Sequence, residues 1–155
     1  MNIQDALKES CVLAELRGGT KEDALRELAH ALKDAGAVED EAETLRVILE
    51  REKLGSTGIG DGIAIPHGKM KGLKGILCAF GRSKEGIPFD AVDKKPVRIV
   101  FLLLAPEDSA GQHLKMLSRI SRMLRDQAFR NKLTGEGSAS ALYRDIVEED
   151  KKFSG

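Results

Sequence analysis

Residues 97–104, Val-Arg-Ile-Val-Phe-Leu-Leu-Leu, are apolar but for Arg98. A run this short and this apolar suits a strand in the centre of a sheet. Residues 76–82 read as a second central strand, and Ile63-Ala64-Ile65 as a third, shorter one. Residues 11–16, Cys-Val-Leu-Ala-Glu-Leu, form another short apolar run, closed by Gly18-Gly19, and suit a strand and turn. Between these runs lie helical patterns. Thr20 with Asp23 reads as an N-cap followed by Leu25, Leu28, Ala29 and Leu32 at helical spacing, with Gly36 placed to end the helix. Asp40 with Glu43 opens a second helix through Leu45, Ile48 and Leu49 to about Glu52. Leu114, Leu117, Ile120 and Leu124 mark a third over about 112–126, and 126–133 and 138–149 each suit a shorter one. The expected architecture is α/β with α+β character: a mixed β-sheet flanked by helices, with 1–155 a single domain and 150–155 a frayed tail.

Composition narrows the classes of function. A chain of 155 residues is the size of one ordinary domain and buries enough surface to need no disulfide or metal staple. Lys plus Arg and Asp plus Glu number 25 each, which argues against a general nucleic-acid binder. No apolar run approaches the roughly 18 residues of a membrane span, and Met1-Asn2-Ile3-Gln4-Asp5 has no signal-peptide pattern. Cys11 and Cys78, far apart in apolar contexts, read as buried free thiols in a reducing compartment. A cytoplasmic protein without direct membrane insertion is the expectation.

Residues 54–68, Leu-Gly-Ser-Thr-Gly-Ile-Gly-Asp-Gly-Ile-Ala-Ile-Pro-His-Gly, change the character of the chain, because their glycines exclude a stable helix. Pro66 is expected to end regular pairing and to stiffen the backbone before His67. His67 is then exposed on a fixed backbone, at a strand end beside a glycine-rich loop, which suits a reactive group. Imidazole can serve as nucleophile, base or metal ligand near neutral pH. Metal binding finds no second ligand at short spacing, and no metal or other cofactor is expected. The loop has no GxSxG elbow and no Gly-Lys-Ser/Thr phosphate loop, and its glycines follow a helix and precede a strand, the reverse of the dinucleotide-binding order. What remains is a histidine that takes up an anionic group among loop amides and hydroxyls. His30, inside the first helix, reads as a surface or half-buried residue. His113 shares a helix face with Leu117, Ile120 and Leu124, so its ring points to the sheet, and it is a candidate neighbour of His67. Arg51, at the end of the second helix, is either a solvated cation favoured by the helix dipole or a bidentate phosphate ligand.

Residues 50–68, from Glu-Arg-Glu-Lys-Leu-Gly-Ser-Thr-Gly through Ile-Ala-Ile-Pro-His-Gly, resemble the phosphorylation-site signature of the fructose/mannitol-type enzyme IIA domain of the bacterial phosphotransferase system. The likeness continues through Ile87-Pro88-Phe89-Asp90-Ala91, Val97 to Pro106 and His113 to Ser118, and is strongest to the nitrogen-regulatory branch. It implies a phosphotransferase component working through a phosphohistidine. His67 matches the phosphoryl acceptor, His113 the histidine that supports the phosphorylated state, and Arg51 the arginine that holds phosphoryl oxygens. Ser56, Thr57, Gly58, Gly60 and Gly62 match the phosphoryl loop. The implied donor is a histidine-phosphorylated carrier protein, HPr-like or its nitrogen-branch counterpart NPr. The implied recipients are regulatory target proteins or, in the alternative reading, a IIB protein that relays phosphoryl for fructose/mannitol-type sugar transport. No IIB or IIC segment stands in the 155 residues, which inclines the expectation towards regulation. A binding module in which His67 never reacts is the reading from outside this class.

Overall fold

The computed structural model describes residues 2–135 and 137–153. After a short 3-10 turn at Ile3–Asp5, the chain runs β1 (Leu7–Leu13), α1 (Lys21–Asp34), α2 (Glu41–Lys53), β2 (Gly58–Gly60), β3 (Ile63–Ala64) and β4 (His67–Met70). It continues through β5 (Leu77–Ile87), β6 (Val97–Pro106), α3 (Ala110–Arg125), α4 (Gln127–Thr134) and α5 (Ala139–Lys151). The strands form one mixed sheet in the order β1-β5-β6-β3-β2, with β4 also paired to β6. The expected mixed sheet flanked by helices is therefore present. β6 is its spine: Val97 and Ile99 to Ala105 are at most 1% exposed, and Phe101 packs edge-to-face on Phe80 of antiparallel β5.

Helices cover both faces. α1 packs on α2 in one layer, while α4 packs on both α3 and α5 in the other. The helix starts follow the capping logic of the sequence: Thr20 Oγ1 accepts from Asp23 N at 3.1 Å, and Asp40 Oδ1 from Glu43 N at 3.0 Å. Cys11 and Cys78 are buried free thiols, and burial pushes both pKa values up, so neither is a ready nucleophile.

The site is positioned by β3 and β4, which are two halves of one strand; β2 flanks the first half, and the second half is an edge of the sheet. Ile63 lies opposite Ile99 and His67 opposite Leu103, an offset of 36 residues in both, with parallel sense throughout. Pro66 was expected to end pairing, but its carbonyl accepts from Leu103 N at 2.9 Å and the ladder continues. A proline costs this ladder nothing, because on an edge its missing N–H faces away from the partner strand. Alternate residues of β4 then face opposite helical layers. A Cβ built on Gly68 would lie 3.1 Å from Val47 of α2, whereas the His67 ring meets His113 of α3.

Four other expectations need correction. β1 spans 7–13 rather than 11–16, because a bulge between Leu7 and Val12 leaves Lys8, Glu9 and Ser10 exposed and breaks the apolar pattern. β5 extends past residue 82, and Arg82 is 3% exposed. Its guanidinium bonds the carbonyls of Ala14, Leu133, Gly135 and Gly137. Leu114 does not join the core stripe of α3: it is 67% exposed, and Met116 and Met123 take the buried positions with His113, Ile120 and Leu124. The frayed tail does not begin at Asp150. α5 runs to Lys151, and Asp150 accepts from Ile3 N at 3.0 Å and pairs with Arg119. Ser154 and Gly155 lie outside the described residues.

Gly58 tests how tightly the glycine-rich hairpin is seated. A Cβ there would come within 2.9 Å of the Ala91 backbone, whereas one at Gly19 meets nothing within 4 Å. Gly58→Ala should cost about 1–3 kcal/mol of stability by overpacking and Gly19→Ala much less, read as urea-unfolding midpoints.

Candidate functional site

His67 opens β4 and is half-buried. Its Nδ1 stands 2.8 Å from the carbonyl oxygen of Ile65. A carbonyl only accepts, so Nδ1 carries the proton and Nε2 keeps its lone pair. The ring is thus held in one tautomer by its own backbone, two residues upstream.

His113 is the fourth residue of α3 and is 8% exposed. Its ring centroid lies 5.5 Å from that of His67, the planes crossing at 78°. His113 Nε2 is buried without a hydrogen-bond partner. Burial, and then the nearby His67 and Lys69, hold its pKa below the ordinary value, so the ring is neutral near pH 7. An unpartnered buried ring nitrogen costs free energy, roughly 1–3 kcal/mol, and is the kind of group a ligand later satisfies.

Arg51 lies in the last turn of α2, on the same helix face as Val47, which packs on Gly68. Gly68 lets α2 approach β4 this closely. Arg51 Nη1 donates to Gly55 O at 2.9 Å, so part of its planar fork secures the helix end. The remaining donors are available to a second acceptor.

The glycine-rich segment is a hairpin rather than a cradle around His67. β2 pairs antiparallel with β3, and Asp61 and Gly62, with φ of +57° and +77°, make the turn between them. Gly62 lies five residues before His67 along the chain, about 16 Å at ~3.3 Å per residue of extended strand. Gly60 and Gly62 therefore do not surround the His67 ring, and Asp61 is equally remote from it. The Gly58 amide is taken by Ser56 Oγ at 3.1 Å, and Ser56 Oγ donates to Phe89 O. Thr57 is 5% exposed, and its carbonyl accepts from Ile65 N at 3.1 Å. Thr57 thus acts on the strand that carries His67, whereas Ser56 ties Gly58 to Phe89 in the β5–β6 loop.

One buried group was missed from sequence. Glu52 is 8% exposed, pairs with Lys21 Nζ at 3.0 Å, and accepts from both the amide (3.3 Å) and the hydroxyl of Thr57. Lys21 Nζ in turn lies 4.7 Å from the centroid of the Phe89 ring. The available signal was an acid in the last turn of a helix, where the macrodipole disfavours it.

His30 is exposed, with Nδ1 2.8 Å from Glu41 Oε1, which raises its pKa. It lines a groove of about 760 Å³ between β1 and α1, away from the two facing histidines. Among the described residues, no three His, Cys, Asp or Glu side chains converge as a metal site requires. No described helix is long and apolar enough to cross a membrane.

Comparison with known proteins places this geometry. Residues 5–149 match the family model for the phosphoenolpyruvate-dependent sugar phosphotransferase system, EIIA 2. The chain is 43% identical over 143 residues to a nitrogen regulatory protein of Bradyrhizobium diazoefficiens, covering 92% of this chain and 93% of that one. It is 41% identical over 130 residues to a fructose-specific EIIA component of Haloferax volcanii, covering 84% of each. The crystal structure of the nitrogen regulatory protein IIA-Ntr from Neisseria meningitidis superposes with a TM-score of 0.86 at 35% identity, over 93% of this chain and 98% of that one. With a strand histidine facing a helix histidine and a family match over nearly its whole length, the chain belongs to the EIIA 2 family of the phosphoenolpyruvate-dependent sugar phosphotransferase system.

Proposed function

We propose that the protein accepts a phosphoryl group on His67 from a histidine-phosphorylated carrier protein and signals through its phosphorylation state. One observation carries the reading: His67 presents an unprotonated Nε2, its Nδ1 proton being held by Ile65, next to a buried histidine nitrogen that lacks a partner. The lone pair of Nε2 attacks phosphorus in line, the new N–P bond forms as the donor's N–P bond breaks, and the donor imidazole leaves with that electron pair. The positive charge that His67 acquires is spread over its ring and offset by the Ile65 carbonyl on Nδ1–H.

The transferred dianion changes its surroundings. It favours the imidazolium form of His113, reversing the effect of burial. The charged ring then donates to a phosphoryl oxygen, a bond worth about 1.5–3 kcal/mol. Arg51 supplies the remaining charge, with a planar fork that suits phosphoryl oxygens better than a lysine ammonium does.

A protein donor suits the surroundings of the site. Leu54, Ile59, Val92 and Leu114 are large apolar side chains at least half exposed. Leu54 follows α2, Ile59 lies on β2, Val92 bonds Gly58 O, and Leu114 adjoins His113. Of these, Leu114 adjoins the facing histidines and offers exposed apolar area to a protein partner there. The regulatory reading rests on the Bradyrhizobium and Neisseria relatives. The Haloferax relative supports a second reading, in which His67 passes phosphoryl to a IIB protein during sugar uptake.

Intact mass after incubation with phosphoenolpyruvate, enzyme I and carrier should rise by one phosphoryl group in the wild type and stay unchanged in His67→Ala. An acid-labile phosphate on the mutant would assign the chemistry elsewhere. Adding IIB protein and permease separates the two roles: a regulator keeps its phosphoryl group, whereas a relay loses it to sugar.

His113→Ala should still accept phosphoryl but hold it for less time, read as phosphohistidine lifetime at neutral pH. The same residue sets a pH dependence. Its folded-state pKa lies below the ordinary 6.5, so the unfolded chain takes up this proton first as pH falls. The protonation of His113 costs no stability above about pH 6.5 and lowers it as pH drops from there towards the folded-state value. Urea midpoints at pH 7 and pH 5 should therefore fall less in unphosphorylated His113→Gln than in wild type.

A further inference from the structure

Ile65 stands at the break between β3 and β4, and its two peptide groups face different partners. Its N–H donates to Thr57 O at 3.1 Å, and its carbonyl accepts from His67 Nδ1 at 2.8 Å. Thr57 is fixed in turn from its other side, where both its N–H and its hydroxyl donate to the Glu52 carboxylate. A continuous series of hydrogen bonds thus runs from Glu52 through Thr57 and Ile65 to the imidazole. Glu52 does not float at the head of it. Lys21 holds its Oε2 at 3.0 Å and lies over the Phe89 ring, while the carbonyl of Phe89 accepts from Ser56 Oγ, the residue before Thr57. The circuit ties the start of α1, the end of α2, the 55–57 loop and the β5–β6 loop to one buried carboxylate.

We infer that Glu52 is a positioning residue for phosphoryl acceptance, acting through Thr57 and Ile65 to set the tautomer and aim of His67. The inference rests on His67 being the acceptor and adds what makes it competent. A hydrogen bond weakens steeply once its length or angle departs from the ordinary range. Loss of the Glu52 anchor loosens Thr57, then the Ile65 carbonyl, and the Nδ1–H bond loses alignment. The ring is then free to populate the tautomer with its proton on Nε2, which has no lone pair there to offer phosphorus. An acid in the last turn of α2 is locally unfavourable, and such local costs mark residues kept for another purpose. Glu52 touches neither phosphoryl group nor donor in this account, so its effect travels wholly through the backbone of the 57 and 65 positions.

The test compares Glu52→Gln, Thr57→Ala and Thr57→Ser with wild type by two measurements. One is nitrogen NMR of ¹⁵N-histidine-labelled protein without phosphoryl donor, which reads the His67 tautomer directly. The other is the rate of phosphoryl acceptance from the phosphorylated carrier. Wild type should show the proton on Nδ1. Glu52→Gln should show a population with the proton on Nε2 and accept phosphoryl roughly tenfold more slowly, as misplaced reacting groups do. Thr57→Ser, which keeps the hydroxyl, should match wild type in both. Should Glu52→Gln not fold, Thr57→Ala keeps the Lys21–Glu52 pair and should shift both readouts the same way by a few-fold. A folded Glu52→Gln with lower thermal stability but wild-type tautomer and rate would make Glu52 purely structural and overturn the inference. So would an unchanged Thr57→Ala. Failure of the wild type itself to take up phosphoryl would refute the acceptor reading instead, and the tautomer measurement would still stand on its own.

Discussion

The hydrogen bond from Nδ1 of His67 to the carbonyl of Ile65 is the constraint on which the site depends. It spans only two residues of one strand, yet it exists because of the whole sheet. Parallel pairing to β6 sets the strand on both sides of Pro66 in a single register. Pro66 stiffens the link, and the N–H of Ile65 extends the β2–β3 ladder onto Thr57, which fixes the peptide whose carbonyl meets the ring. A histidine in a loop would sample both tautomers and many orientations. Here the backbone selects one of each before any partner arrives, and that is the preorganisation a transfer reaction needs.

The surroundings of the ring trade stability for chemistry. His113 is buried with an unpartnered nitrogen against His67, which a purely structural core avoids. Leu114, next to His113 on α3, stands exposed where a polar residue would serve solubility better. These costs are offset elsewhere: the β5–β6 pair and the two helical layers bury a continuous apolar core, and the Arg82 guanidinium ties the carbonyls of Leu133, Gly135 and Gly137 to the sheet. Under the proposed function, the unpartnered nitrogen of His113 is the group that a phosphoryl oxygen would satisfy.

Much of this was legible in the sequence, for physical reasons that differ by residue. The β6 run and the Thr20 and Asp40 caps announced themselves because burial and capping leave local patterns. His67 stood out from its neighbours Pro66 and Gly68, the helix face of His113 made it a candidate neighbour, and the family resemblance supplied its role. What stayed hidden depends on tertiary pairing. The bulge in β1 disguised its alternation, and only the register against β6 shows that Pro66 sits within a strand instead of ending one. The glycines at 60 and 62 suggested a phosphate cradle, yet their positive φ angles serve a hairpin turn remote from the ring. Glu52 was overlooked because its partners, Lys21 and Thr57, lie 31 and 5 residues away and on different elements.

The backbone of Ile65 holds Nδ1 of His67 and leaves the lone pair on Nε2, which the proposed function makes the acceptor. Through-bond coupling between ³¹P and ¹⁵N in the phosphorylated, ¹⁵N-histidine-labelled protein identifies the bonded nitrogen directly. The account predicts phosphorus on Nε2, with Nδ1 still protonated and protected from exchange by the Ile65 carbonyl. Phosphorus on Nδ1 would require the Ile65 bond to break before transfer, and would contradict it.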